Sequence, residues 1–496
     1  MAEPTPGAPT DATDPAEPGL RKDLSTFSLT ALIMGAMIGS GIFFLPGSML
    51  ALAGGVWPVM LAWIGGAVIA LAGGLVFAEL GAAFPKAGGQ YVFLRDSLGR
   101  GWGFLFAWSG FAVVQSGTIA AVAVALANAV DYLVGLPGST PCLGATDALG
   151  ACDGLLLPKW GTGFLAIAII GLLTFVNHMG VRRGAWVNNV ATVAKTGALV
   201  AIAVLAFTLG KDSGNFSGGK AGFSDTTLGG FGLALSASLF AYDGFAQATF
   251  VAAEVQDARR ALPRAILLAT GLVAAIYLSA TFAYYHVLPI AQMSNEALLG
   301  NFPIASEAMA VVLGRVAASL VAAAIVVSTF GTVNTYVLTS PRIYHPIARD
   351  GEFPRAFGAL NRHGTPTYGL WYGAIWSSFL MLTGSYARLA DLVVFGLYVF
   401  YLATMVGYFV LRRREREAFE AAGFRMPLRP LPAVFFGLAA VAVLGFYLNH
   451  DLRLLFGGHV GGFLASTTGM GIILIGVGLV MFAVQDRRGA RAATAG

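Results

Sequence analysis

Leu32-Ile-Met-Gly-Ala-Met-Ile-Gly-Ser-Gly-Ile-Phe-Phe-Leu-Pro46 is apolar enough to enter a bilayer, yet its middle holds residues that suit a membrane helix poorly. Gly39, Ser40 and Gly41 stand together, and Pro46 follows one turn beyond Ile42. Glycine weakens a helix and lets other backbone come close. Unpaired backbone at membrane depth persists only where it lines a cavity or packs inside protein. The stretch alone supports two readings: a helix broken at its centre, or a small-residue face for helix packing. A break has a specific chemical use. The half-helix after it opens with free N–H groups and the positive end of its dipole, a backbone site for a carboxylate. The half-helix before it ends in carbonyls that suit an ammonium or a cation. One break can therefore hold both ends of a zwitterion.

Composition around this stretch demands a membrane. The 496 residues are 57% hydrophobic and 11% charged, against about 25% charged in a soluble domain. Blocks of about 18 or more apolar residues read as spans. No Asp, Glu, Lys or Arg lies between Asp23 and Glu79, which leaves room for two spans with Gly54, Gly55 and Pro58 at the turn. Blocks of this kind continue to Arg453–Asp486 and give about twelve helices, so the fold class is an all-α polytopic membrane protein. With the N-terminus in the cytoplasm, 23 of the 30 basic residues fall in inside segments, six fall outside, and Lys195 lies within a span. That split follows the positive-inside rule, puts both termini in the cytoplasm, and explains the net charge of +5 as a topology signal. No clustered basic face points to nucleic acid. Residues 1–23 read as a disordered cytoplasmic tail without the basic n-region of a signal peptide. Cys142 and Cys152 share the loop between spans three and four, outside by the charge rule; a disulfide and two unpaired thiols are equally open. No His cluster accompanies them, so a metal site is not expected.

Two further anomalies lie inside spans. Leu235-Ser-Ala-Ser-Leu-Phe-Ala-Tyr-Asp-Gly-Phe245 is interrupted at Asp243 and Gly244. An ionisable residue within a span is a functional hypothesis by default, and the competing reading is a structural carboxyl satisfied by hydrogen bonds. Two interrupted spans, the first and the sixth, point to an inverted-repeat transporter with its site at the midplane. Lys195 lies about ten residues in from Ala185, roughly 15 Å deep, too far to snorkel easily to either surface. It reads as a permanent or titrating cation in what would otherwise be an alkali-ion site, or as a tie between helix carbonyls.

At these residues the sequence resembles the amino acid–polyamine–organocation (APC) superfamily of permeases, and within it the light-chain-like L-amino-acid transporters. The likeness rests on Met37-Ile-Gly-Ser-Gly-Ile-Phe43, on Phe77 through Leu94, and on Asn188 through Lys195. It also rests on Phe240-Ala-Tyr-Asp-Gly-Phe245 with Glu254 and Arg259 through Ile266, and on Ser340 through Gly351, all in the family's order. The resemblance implies a LeuT-type five-plus-five inverted repeat with broken helices 1 and 6. Residues 24–210 would form spans one to five and 231–413 spans six to ten, with 414–496 as spans eleven and twelve and a C-terminal tail. It implies a substrate carboxylate at the backbone of Ser40, Gly41 and Ile42, and an amino group at carbonyls near Met37, Ile38, Phe240, Ala241 and Tyr242. Gly39, Asp243 and Gly244 complete the site. Phe240 and Phe245 are gate or pocket candidates, although many relatives carry Trp where Phe245 stands. In sodium-independent members the matching lysine occupies a sodium position, which argues for coupling to protons or for exchange.

The expected function is secondary active transport of amino acids, favouring neutral L-amino acids because Asp243 is the one acid placed in the pocket. The expected partners are the substrate, protons and the lipid bilayer of the plasma (inner) membrane, with no cofactor, metal or covalent chemistry. An antiporter of cationic amines or polyamines, and an amino-acid sensor of the same fold, are the alternatives. A channel would need a continuous polar file, and the six histidines show no paired ligand spacing for a membrane enzyme.

Overall fold

The computed structural model describes residues 22–134, 142–143, 155–156, 160–216, 222, 226–290, 293, 303–382, 386–456 and 466–495. Among them, ten helices are long and apolar enough to cross a membrane. They are Thr26–Ala53, Val56–Ala83, Arg100–Val134, Trp160–His178, Val181–Leu209, Ala258–Val287, Arg315–Arg349, Leu389–Arg414, Leu431–Asn449 and Thr467–Asp486. The sixth and ninth spans are shorter rods, Leu228–Ala241 followed by its break, and Thr367–Met381. Together they make the twelve spans of an all-α polytopic protein. Among the described residues, β structure is limited to the two-residue ladder Cys142–Leu143 against Leu155–Leu156 and two isolated bridges. The N-terminal tail up to residue 21, Cys152, and hence any pairing of Cys142 with Cys152, lie outside the described residues.

Local sequence sets the element ends. Ser25 caps the first span by accepting from Ser28 N at 3.2 Å, and Thr227 caps the sixth by accepting from Gly230 N at 3.0 Å. The turn between the first two spans is made at Gly54, whose φ of 75° suits glycine. The third span carries a π-helical turn at Gly110–Val114. Its Ala112 carbonyl accepts from Trp376 Nε1 at 2.9 Å.

The two broken spans lie at the centre. The seventh span packs along the second, and the eighth along the third and fifth, which encloses the breaks. Outer helix faces expose single apolar side chains such as Phe164, Val193, Ile375 and Leu438, as lipid contact requires. Beneath the breaks the structure is closed. Leu24 bridges Val255 in parallel, and Glu254 meets Arg342 at 2.5 Å with both side chains almost wholly buried.

Candidate functional site

The first span is two helices, Thr26–Met37 and Gly41–Ala53, joined by 38–40. Ile38 leaves helical geometry with ψ 80°. Phe43 and Phe44 N–H both reach back to Ser40 O, at 3.0 and 3.2 Å. Gly41 and Ile42 open the second half, where helix geometry supplies no intrahelical acceptor for their N–H groups. The break proposed from Gly39, Ser40 and Gly41 is thus present, and the small residues also serve close packing. A Cβ at Gly41 would stand 2.9 Å from Ala241 Cβ, so this glycine is where the two broken spans touch.

Lys195 is the fifteenth residue of Val181–Leu209, fully buried, and its ammonium comes to the carbonyl side of this break. It donates to Gly35 O at 2.8 Å, to Ile38 O, and to Thr332 Oγ1 at 3.1 Å. Thr332 lies 2.8 Å from Gly35 O and 3.0 Å from Ile38 O, and Ser328 Oγ lies 3.1 Å from Ile38 O. An ammonium has three donors, and here all three find oxygen. Each acceptor is neutral, and the Gly35 and Ile38 carbonyls lie at the negative end of a half-helix.

The second break runs from Tyr242 to Ala246, between Leu228–Ala241 and the short helix Gln247–Phe250. Gly244 has φ 149°, and a Cβ there would be 2.9 Å from both Ala36 Cβ and Met37 Cγ. The Asp243 carboxylate turns away from the first break toward the eighth and tenth spans. Tyr401 donates to one of its oxygens at 2.5 Å and Tyr336 to the other at 3.0 Å. Phe245 is buried in an aromatic cluster, 5.5 Å from Phe77, 5.4 Å from Tyr401 and 6.0 Å from Phe436. Of the twelve candidate residues in the two breaks, Phe240 alone keeps intermediate exposure.

Tyr277 of the seventh span joins the breaks. Its hydroxyl lies 2.5 Å from Met37 O and 3.3 Å from Ala241 O, and its ring packs 5.3 Å from Trp63 and 5.2 Å from Tyr242. The candidate ammonium acceptors are therefore unequal. Ile38 O already has three side-chain neighbours, and Met37 O accepts from Gly39 N at 2.8 Å as well as from Tyr277. Ala241 O has one side-chain neighbour, the Tyr277 hydroxyl at 3.3 Å.

Tyr277, Tyr336, Tyr401, Ser328 and Thr332 carry much of this geometry and are absent from the sequence reading. A signal for two of them exists: Ser328, Thr332, Thr335 and Thr339 recur at helical spacing in a charge-free span. The tyrosines stand within the spans Ala258–Val287, Arg315–Arg349 and Leu389–Arg414, away from the span ends where tyrosine usually gathers in a membrane.

A family model described as amino acid permease matches residues 24–483. The serine/threonine exchanger SteT of Bacillus subtilis (strain 168) is 29% identical over 441 residues, covering 87% of this chain and 92% of that protein. The human large neutral amino acids transporter small subunit 2 is 31% identical over 425 residues, with 83% and 74% covered. The b(0,+)-type amino acid transporter 1 of Oryctolagus cuniculus is 29% identical over 411 residues, with 82% and 79% covered.

Proposed function

The chain belongs to the amino acid permease family, and on that premise we propose that it moves neutral L-amino acids across the plasma (inner) membrane by alternating access. Transport is independent of sodium and coupled to protons or to counter-exchange. One observation carries this reading: the first break opens the N–H groups of Gly41 and Ile42 beside Ala241, while the Lys195 amino group fills the carbonyl side. The substrate carboxylate takes the N–H groups around Ser40, Gly41 and Ile42. The ammonium takes Ala241 O first, with Met37, Ile38 and Phe240 bordering it. Phe240, the residue with remaining exposure, gates the outer approach, while Gly39, Tyr242, Gly244 and Phe245 shape and support the breaks. Residues 24–210 and 231–413 act as the two repeats, rocking about the shared site, with both termini in the cytoplasm.

Neutral substrates are favoured because both oxygens of Asp243, the acid a cationic side chain would seek, accept from Tyr336 and Tyr401. The names of two relatives also carry neutral substrates, serine/threonine and large neutral amino acids. Exchange has its own support in the word exchanger in the first of those names. Lys195 supplies the charge that a coupling ion would bring elsewhere, and a proton moving on or off this region biases the two states.

Uptake of labelled L-amino acids into proteoliposomes tests the proposal. Accumulation driven by an inward proton gradient and blocked by excess neutral amino acid supports symport; entry only with amino acid preloaded inside supports exchange. Competition by arginine or a polyamine, and none by neutral amino acids, overturns the substrate class. Binding without flux under either condition identifies a sensor.

A further inference from the structure

Five arginines face one hollow where the tenth span ends and the eleventh begins. Arg412, Arg413, Arg416, Arg425 and Arg429, with Phe419 and Glu420, line a cavity of about 520 Å³. Acids do not balance it. Glu79, fully buried on the second span, takes Arg412 at 2.8 Å and Arg429 at 3.2 Å on one oxygen. Arg416 pairs with Glu420 at 2.9 Å on an exposed turn. Arg413 and Arg425 have no carboxylate partner among the described residues. Arg412 also lies over the Phe419 ring at 5.3 Å, so one wall of the hollow is apolar. A concave site lined by one sign of charge with apolar walls concentrates counterions.

A second hollow adjoins the first and shares Arg413. It measures about 610 Å³ and is lined by Val406, Phe409, Val410, Arg413 and Arg414. Its apolar part lies along the tenth span, on turns that precede the arginines, and Val406 there is exposed to the membrane side.

We propose that these two hollows are one binding site for an anionic glycerophospholipid. The phosphate sits among Arg412, Arg413, Arg425 and Arg429, and an acyl chain lies along Val406, Phe409 and Val410. Guanidinium forks match phosphate oxygens two at a time. Basic pockets between spans at the face rich in Arg take lipid phosphates of the adjoining leaflet. The groove selects lipid over a soluble anion, because a free phosphate would use the arginines alone. The bound lipid would bridge the tenth and eleventh spans to the Glu79 end of the second, at a distance from both breaks.

Native mass spectrometry of the full chain in mild detergent tests this, with phosphatidylglycerol and phosphatidylcholine of identical acyl chains added together. Phosphatidylglycerol should be retained about tenfold over phosphatidylcholine or more, the scale expected for two arginines at an anionic headgroup. Arg413→Gln with Arg425→Gln, which breaks no internal pair, should remove that preference. Val410→Trp, by filling the groove, should lower retention of the diacyl lipid. Equal retention of the two lipids by the unaltered chain would overturn the proposal without reliance on any variant. So would an unchanged preference in the double variant, and so would displacement of phosphatidylglycerol by millimolar inorganic phosphate, which would make this a free-anion site.

Discussion

The two broken spans occupy equivalent places in the fold, and their breaks are held by opposite means. The first break is three residues long, and a cation brought from another span holds its carbonyls: Lys195 at Gly35 and Ile38, supported by Ser328 and Thr332. The second is five residues long and carries its own acid, Asp243, whose two oxygens the hydroxyls of Tyr336 and Tyr401 hold from outside. A thirteen-residue helix follows the first break, and a four-residue helix with a 3-10 turn follows the second. The first break opens onto a full-length half-helix with its dipole intact. The second has fewer helical hydrogen bonds below it and ends on the buried Glu254–Arg342 pair, so it is the element better built to move. Shared architecture fixes where the helices break, and the side chains around each break decide how it is held.

The largest effect is expected at the cation. Lys195→Ala takes one donor from each of two buried carbonyls, leaving Thr332 and Ser328 to serve them, and should cost about 1–3 kcal/mol of stability. It should abolish uptake, read as a fall in thermal midpoint together with proteoliposome flux. Transport and pH dependence like those of the unaltered chain would show that the first break does not depend on its cation. Gly41→Val comes next. Its side chain meets Ala241, 2.9 Å from Cβ to Cβ, and covers the N–H groups beneath. Substrate affinity should fall by at least about a hundredfold, as expected when a charged group loses its hydrogen bonds; unchanged affinity in a binding titration would move the carboxylate elsewhere.

Asp243→Asn separates the two breaks most sharply. The amide still offers an oxygen to one tyrosine and an N–H to the other, so only the charge-assisted part is lost, about 1 kcal/mol. Flux should persist with the same preference for neutral amino acids, whereas complete loss of binding in this variant would make Asp243 a substrate ligand. Tyr277→Phe should be the mildest. It removes one hydroxyl between Met37 O and Ala241 O, which is worth about 1 kcal/mol, and a KM rise of several-fold with the maximal rate retained would show that it tunes the ammonium side.

Several of these features are legible in the sequence because each is a local violation. Gly39-Ser-Gly41, Asp243-Gly244 and Lys195 all stand out from long apolar blocks, and each lies at a break or reaches into one. Tyr277, Tyr336 and Tyr401 do not stand out, since an isolated tyrosine in an apolar span reads as bulk. Their hydroxyls matter through partners 36 to 240 residues away. The sequence by itself determined about twelve spans, the two places where helix geometry is interrupted or strained, and a lysine deep within a span, because hydrophobic length, backbone propensity and charge are properties of neighbouring residues. Only the tertiary structure decided that Lys195 meets the carbonyls of the first break, that Asp243 turns from it toward two tyrosines, and that Tyr277 reaches both Met37 O and Ala241 O. A hydrogen bond is fixed by the position of both partners, and those positions come from how the spans pack.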